Sequence, residues 1–113
     1  MRLQTDMKAV VLGVLATGPR HGYAIAKEVR EQSGGMLKLG EGQLYPTLYH
    51  LEEQGWVVAE WENEDSDQPR RIYRITEDGL AELAVRAERW HQFTESVAKL
   101  MPAPVSKPQG GNA

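Results

Sequence analysis

Apolar residues recur every three or four positions in the first part of the chain, a spacing typical of amphipathic helices. In the first helix the apolar face consists of Met7, Val10, Val11, Val14 and Leu15. Thr5 or Asp6 can cap its N-terminus, and Gly18-Pro19 end it. A second helix is predicted over about residues 22–32, and its inner face carries Ile25, Ala26 and Val29.

A third amphipathic helix is predicted over residues 42–55. Its core-facing stripe consists of leucines at i, i+4 and i+7, namely Leu44, Leu48 and Leu51. The opposite surface, with Tyr45 at its edge, then carries Gln43, Pro46, Tyr49 and His50. Pro46 is compatible with a helix only near the N-terminus, where a missing N–H costs nothing. Residues 36–39, which precede this helix, form either one small strand or a packed loop.

The second half of the chain changes to strand-like alternation and then returns to helical spacing. Residues 56–62 and 70–75 alternate on either side of an acidic loop, which predicts a two-stranded hairpin. Thr76, followed by two acidic residues, is typical of a helix N-cap. A long helix is then predicted to about residue 101, with a heptad-like seam at Leu80, Leu83, Ala87, Trp90, Thr94, Val97 and Met101. Such a seam indicates a dimer interface between two helices.

The order helix, helix, helix, two-stranded wing, long helix predicts the fold class. We expect a mainly α (α+β) protein with a winged helix-turn-helix and a long C-terminal dimerisation helix. The predicted divisions are a DNA-binding domain over residues 1–75, a dimerisation helix over 76–101 and a disordered tail over 102–113, which is rich in proline and glycine. A helix carrying tyrosines, an amide and an imidazole next to a basic strand favours DNA reading.

Composition excludes several classes of protein. The 113-residue chain contains no cysteine, so it offers no disulfide framework, thiol nucleophile or cysteine-ligated zinc. The three histidines, His21, His50 and His91, show no paired metal-ligand spacing. No nucleophile or metal set accompanies the carboxylates Glu28, Glu31, Glu52 and Glu53. We therefore expect solvated helix faces, no metal, no cofactor and no enzyme activity.

Charge and hydropathy bear on location and partner. The N-terminus is too polar for a signal peptide, and no apolar run approaches the roughly 20 residues that span a bilayer. These features predict a cytoplasmic protein with no membrane partner. The net charge is −3, with basic and acidic residues balanced over residues 1–55. Because the net charge of the chain is negative, a winged-helix protein–protein interaction module remains an alternative to DNA binding.

Three motifs occur in order along the chain. The first is Gly18-Pro19-x-x-Gly22-Tyr23-x-Ile25. The second is Gly42-x-Leu44-Tyr45-Pro46-x-Leu48-x-x-Leu51-x-x-x-Gly55. The third is Arg71-x-Tyr73-x-Ile75-Thr76-x-x-Gly79. Together they resemble the PadR family of bacterial transcriptional regulators over about residues 5–100, and the single C-terminal helix is similar to the compact subfamily, which includes repressors of multidrug-efflux genes.

The resemblance implies a homodimeric repressor bound to a palindromic, double-stranded operator. Third helices would enter successive major grooves, and wings would touch the flanking backbone or minor groove. The implied DNA-binding residues are Gln43, Tyr45, Pro46, Tyr49 and His50 on the helix and Arg70 and Arg71 on the wing. Amide and imidazole groups suit base edges, whereas the hydroxyls of Tyr45, Tyr49 and Tyr23 suit phosphates. The alternatives are solvated polar groups, core packing of Tyr23 and Tyr45, and pairing of the arginines with the acidic loop.

The resemblance also implies a small aromatic effector. In multidrug-binding relatives a flat aromatic ligand lies between two tryptophans at the dimer centre, and the matching residue is Trp90. By the same matching, the surrounding residues are Ala9, Leu83, Ala87 and Thr94. Ala87 and Thr94 are smaller or less charged than their counterparts, which separates this site from those that bind cationic drugs. The alternatives are a Trp90 that only packs the interface and a protein that is chiefly a flat-aromatic sensor.

Overall fold

The computed structural model describes residues 6–103, and its elements follow the predicted order with one addition. They are α1 (Met7–Ala16), β1 (Arg20–His21), α2 (Gly22–Gln32), α3 (Glu41–Glu53), β2 (Val57–Glu62), β3 (Arg70–Ile75) and α4 (Glu77–Ala98). The fold is therefore α+β, as predicted. Most of the predicted tail, residues 104–113, lies outside the described residues. Within residues 6–103, no helix is long and apolar enough to cross a membrane.

Side-chain caps define where two of the helices begin. Asp6 accepts a hydrogen bond from the backbone N–H of Ala9 at 3.1 Å, so Asp6 rather than Thr5 is the cap of α1 that the structure describes. Thr76 accepts in the same way from the N–H of Gly79 at 3.0 Å, which confirms the predicted start of α4. These bonds satisfy backbone donors that have no partner inside the helix.

The sheet has three antiparallel strands in the order β1-β3-β2. The sequence pattern predicted the hairpin of β2 and β3 but missed β1, because two residues are too few to show alternation. Arg20 lies opposite Tyr73, and His21 lies opposite Ile72. Residues 36–39 form no strand, and Leu39 is instead a buried loop residue. The loop was one of the two predicted alternatives.

One hydrophobic core joins the first three helices to the inner face of the sheet. Its buried residues are Val11, Leu12, Leu15, Ile25, Val29, Leu39, Leu44, Leu48, Leu51, Val57 and Tyr73. The leucine stripe predicted for α3 is confirmed. Pro46, however, lies one turn deeper in the helix than the sequence argument required. Its missing N–H would have bonded to the carbonyl of Gly42, so the proline removes one hydrogen bond near the start of α3.

The long helix α4 is anchored at its N-terminal end and exposed along most of its length. Thr76 donates its backbone N–H to the carbonyl of Trp56 at 3.0 Å and its hydroxyl to the carbonyl of Gly55 at 2.7 Å. Among the residues of α4 only Gly79 is buried, and a Cβ at Gly79 would overlap the carbonyl oxygen of Trp56. The helix ends at Ala98, slightly before the predicted end near residue 101.

Candidate nucleic-acid interface

The exposed face of α3 carries most of the side chains predicted to contact DNA. Because its three leucines point into the core, Gln43, Tyr45, Pro46 and Tyr49 are left on the outside. His50 differs from these four, because it is only half-exposed and its ring meets the ring of Trp56 edge-on, with centroids 6.4 Å apart. The first two turns of α3 thus present an amide and two phenols to solvent.

A cleft of about 620 Å³ separates this helix from the wing. Its walls come from β1, the start of α2, α3 and both wing strands, and the lining residues are His21, Gly22, Tyr23, Tyr45, Trp61, Pro69, Arg70, Arg71 and Tyr73. The structure therefore brings four of the predicted contact residues together here, namely Tyr23, Tyr45, Arg70 and Arg71. Gln43, Pro46, Tyr49 and His50 lie outside this cleft.

Tyr45 lies across the start of α2, where only a glycine leaves room for it. A Cβ built on Gly22 would lie 2.7 Å from the hydroxyl oxygen of Tyr45 and 3.0 Å from its ring carbon Cε1. The ring of Tyr45 is therefore half-exposed and also closely packed against the start of α2. The contact also explains why the Gly22-Tyr23 motif and Tyr45 occur together in this chain.

Arg71 is held in place by three neighbours. Its Nη2 donates to Oε1 of Glu52 at 3.1 Å, and its guanidinium carbon lies 5.5 Å from the ring centroid of Trp61 and 5.8 Å from that of Tyr73. The ion pair thus links the wing to the C-terminal turn of α3 and does not involve the acidic loop. Glu52, expected to be merely solvated, is one of its two members. Arg70, by contrast, is fully on the exposed surface.

The phenol of Tyr73 is buried beneath Arg71. Burial raises the pKa of Tyr73, the positive charge of Arg71 opposes this, and the net direction is upward. The hydroxyl is therefore neutral over the physiological pH range, and Tyr73 packs beneath the guanidinium of Arg71 as an uncharged ring.

His21 is a site residue that the sequence argument did not single out for DNA binding. Its Nε2 lies 3.0 Å from Oε1 of Glu62, the last residue of β2. Its ring is stacked on Tyr23, with centroids 5.9 Å apart and an interplanar angle of 11°. Part of the negative charge of the wing is thus engaged with β1. Only the tertiary structure brings these residues together, since 41 positions separate them.

A second cavity, of about 450 Å³, lies between α1, the α2–α3 loop and α4. Four of the five predicted effector-site residues line it: Ala9, Leu83, Ala87 and Trp90. Thr94 does not, and it lines a separate hollow towards the end of α4 with Phe93, Val97 and Met101. Trp90 borders both spaces, and 44% of its surface is exposed in the single chain. The cavity is mostly apolar, although Asp6 and Arg86 are among its lining residues.

Arg86 connects that cavity to the C-terminal end of α3. Its Nη1 lies 3.0 Å from each carboxylate oxygen of Asp6, and its Nε donates to Glu82 at 2.7 Å. The guanidinium carbon lies 5.4 Å from the ring centroid of Trp56, the residue whose ring also meets His50. Burial lowers the pKa of Arg86, but the bonds to Asp6 and Glu82 outweigh burial and raise it overall. No role was predicted for Arg86 from the sequence.

Most of the described chain matches a known protein family. A family model described as "Transcriptional regulator PadR-like family" matches residues 11–85, from α1 through the wing into the first part of α4. The chain belongs to the PadR-like family. The predicted family and the predicted winged-helix class are thereby confirmed. The match ends before Trp90, so the outer half of α4 lies beyond it.

Individual PadR-like relatives agree with this membership. The negative transcriptional regulator PadR of Bacillus subtilis is 27% identical over 77 residues, which are 68% of this chain. A transcriptional regulator from Clostridium thermocellum has a similar structure, with a TM-score of 0.78 at 25% identity, covering 84% of this chain and 92% of that one. Bacillus subtilis PadR, solved in complex with operator DNA, has a TM-score of 0.63 at 22% identity, covering 91% and 51%.

Length separates this chain from some PadR-like relatives. It spans 42% of the length of the curated relatives that it matches. It nevertheless covers nearly all of the Clostridium thermocellum structure. The residues that match the family model include α3 and the wing, which carry the candidate interface.

Proposed function

We propose that this PadR-like protein is a sequence-specific DNA-binding transcriptional regulator that represses by occupying a palindromic operator. The observation that carries the proposal is the position of α3, whose leucines lie in the core while Gln43, Tyr45, Pro46 and Tyr49 face outward beside the arginines of β3. A helix with a short polar face suits the major groove, and arginines beside it suit the phosphates. Bacillus subtilis PadR, which shares this fold, was solved bound to operator DNA, and this supports the same assignment.

Within this proposal the residues divide into base-reading and backbone-binding groups. Gln43 reads adenine through its amide, and His50 donates to a guanine edge from its half-exposed position beside Trp56. Tyr23, Tyr45 and Tyr49 donate their hydroxyls to phosphates, which fixes register without specifying sequence. Arg70 supplies an exposed positive charge on the wing. Arg71 supplies a second charge whose position is set by Glu52.

The regulator acts as a homodimer in this proposal, with the region up to residue 75 binding DNA and α4 joining the two copies. The support is the apolar seam of α4, which is exposed at Leu80 and Trp90 and, just past the end of the helix, at Met101. The other members, Leu83, Ala87 and Val97, are half-buried. A helix with such a face is stabilised by a partner helix, because burying that face removes apolar surface from water. Two copies would then present two α3 helices to successive grooves about 34 Å apart.

A small aromatic effector would release the dimer from DNA. The support is the apolar cavity at Ala9, Leu83, Ala87 and Trp90, which lies next to the proposed dimer seam. Thr94, although it lines a different hollow, faces the same seam and belongs to the site if the two spaces join in the dimer. A ligand acts in this way only if it favours a geometry whose recognition helices no longer match the half-sites.

DNA binding is tested with a labelled duplex from the region upstream of the protein's own gene, by fluorescence anisotropy. We expect nanomolar binding that weakens about a thousandfold between about 50 and 200 mM salt. Gln43→Ala should weaken binding about tenfold and relax the preference at one base pair, which corresponds to about 1.4 kcal/mol. Gln54→Ala, the same amide loss at the far end of α3, is the matched control. Salt-insensitive or absent binding would instead favour a protein–protein interaction module.

The dimer is tested by sedimentation equilibrium. Val97→Asp introduces a charge into the seam and should give a monomer, because an unpaired charge is costly in an apolar interface. Val85→Asp, an equally drastic change on a different, exposed part of the same helix, should leave the dimer intact. Two variants with the same association constant would remove the seam from the proposal.

The effector site is tested by adding a neutral flat aromatic dye, Nile red, to the protein and recording tryptophan emission. We expect quenching in the wild type, reduced quenching in Trp90→Ala, and release of labelled operator DNA at the same dye concentration. Quenching that persists unchanged in Trp90→Ala would assign the dye to Trp56 or Trp61. Quenching by the dye without release of DNA would leave a binding site that does not regulate.

A further inference from the structure

Trp61 is the most unusual exposed side chain of the wing. It is the last of three alternate residues on the inward face of β2, after Val57, which is buried, and Ala59, which is half-buried. At Trp61 this apolar face extends past the edge of the core, and 53% of the residue is exposed. A tryptophan at that position has a large apolar surface that the described chain leaves in contact with water.

The neighbours of Trp61 are cationic and aromatic. Across the hairpin it pairs with Arg71, whose guanidinium covers one part of its ring at 5.5 Å. The cleft that both residues line also contains Arg70 and the exposed phenols of Tyr23 and Tyr45. Two ion pairs lie beside the cleft, Glu52 with Arg71 and Glu62 with His21. The cleft therefore combines exposed rings with one arginine, Arg70, that has no ion pair in the described part of the chain.

These features match the chemistry of one strand of duplex DNA. A sugar–phosphate backbone alternates an apolar deoxyribose face with an anionic phosphate, and a tryptophan beside arginines is complementary to that alternation. The cleft is also continuous with the exposed face of α3 through Tyr45, which belongs to both. A duplex read by α3 would place a backbone strand along this side of the protein.

We propose that Trp61 is a DNA-contacting residue whose ring packs against a deoxyribose of the operator backbone. Arg70 pairs with the adjacent phosphate, and Arg71 holds the tryptophan ring in place while Glu52 and Tyr73 hold Arg71. This inference rests on the proposed function, because it requires that α3 engages a duplex. It adds an apolar contact to a wing that sequence reasoning described only in terms of charge.

The contact is tested by comparing the wild type with Trp61→Phe, because the difference between their tryptophan emissions reports Trp61 while Trp56 and Trp90 stay in place. Labelled operator DNA reports binding through its anisotropy, and the tryptophan emission is recorded in the same titration. We expect the emission maximum of Trp61 to move to shorter wavelength as the DNA saturates, because packing against a deoxyribose removes water from an exposed ring. If DNA binds but the emission of Trp61 does not change, the proposed contact is overturned while the proposed function stands.

Substitutions separate a direct contact from an effect on Arg71. Trp61→Ala should weaken operator binding about tenfold, equivalent to about 1.4 kcal/mol, and Trp61→Tyr should recover most of that loss. Val58→Ala, on the opposite face of the same strand, should change affinity less than about twofold. An affinity loss in Trp61→Ala together with unchanged emission would mean that Trp61 acts only by positioning Arg71, which contradicts the proposal. If the wild-type protein does not bind the operator DNA, the proposed function fails and this contact fails with it.

Discussion

The ion pair between Asp6 and Arg86 allows a quantitative test of how α1 and α4 are joined. We consider the variants Asp6→Asn, Arg86→Gln and the double variant, together with Glu82→Gln. Asparagine caps a helix about as well as aspartate, so Asp6→Asn keeps the hydrogen bond to the N–H of Ala9 and removes mainly the charge. Arg86→Gln removes the guanidinium from Asp6, from Glu82 and from the ring of Trp56.

The expected magnitude follows from partial burial. The side chains of Arg86 and Asp6 are 20% and 35% exposed, so the pair is neither a surface pair worth about 0–1 kcal/mol nor a fully buried one. With two bonds at 3.0 Å we expect a coupling free energy of about 1–1.5 kcal/mol between Asp6 and Arg86. Arg86→Gln should cost about 2–3 kcal/mol in total, because it also loses the contact with Trp56. Glu82→Gln, which breaks an i,i+4 pair, should cost about 0.5 kcal/mol.

The assay is urea denaturation of all four variants at one protein concentration, with unchanged m-values as the sign that the unfolded state is unaffected. The net upward shift in the pKa of Arg86 means that its stabilising effect is present below its unfolded pKa and is lost only as pH rises above that value. The coupling should therefore be the same at about pH 6 and about pH 9. A coupling below about 0.3 kcal/mol would refute the view that this pair joins the two helices.

Three glycines and one tyrosine provide further predictions. Gly79→Ala should lower the free energy of unfolding by about 2 kcal/mol in urea denaturation, because the new Cβ meets the backbone carbonyl of Trp56. Gly42→Ala should raise the free energy of unfolding by up to about 1 kcal/mol in the same assay, because position 42 has open space and alanine favours a helix. Gly22→Ala should displace the Tyr45 ring and weaken operator binding about tenfold by anisotropy, with the fold retained by circular dichroism. Because the pKa of Tyr73 is raised, its contribution to stability is present below the unfolded pKa of about 10 and is lost as the pH rises further. Tyr73→Phe should therefore reduce the loss of stability above about pH 10, measured by urea denaturation at a series of alkaline pH values.

The fold could be predicted from the sequence wherever a periodic pattern was long enough. The leucines of α3 and the alternation of β2 and β3 are of this kind, because the apolar residues of one buried face recur with the period of the helix or strand. The strand β1 could not be predicted, since its two residues become a strand only by lying beside β3. Pro46 shows the reverse case, where packing of the leucines on either side retains a helix that local propensity would interrupt.

The candidate interface was predictable on α3 and much less so elsewhere. Once the leucines are assigned to the core, geometry leaves Gln43 and Tyr49 on the outside. The contacts of Arg71 with Glu52 and of Arg86 with Asp6 join residues 19 and 80 positions apart, and no local pattern carries such information. Trp61 did have a signal, which was its position at the far end of an inward-facing alternation, beyond the part of the strand that the core can cover.

The attachment of α4 at its N-terminal end has a mechanical consequence. Close packing of Gly79 on the Trp56 carbonyl and the ion pair of Arg86 with Asp6 fix the first part of α4. The 12 residues from position 87 to Ala98 are about 18 Å long at 1.5 Å per residue. A rotation of about 10° at the start of this segment displaces its far end by about 3 Å, roughly the rise of one base-pair step. In the proposed dimer, a ligand that rotates the paired α4 helices would move the two winged-helix regions apart or together. The separation of the two α3 helices would then no longer match the spacing of the operator half-sites.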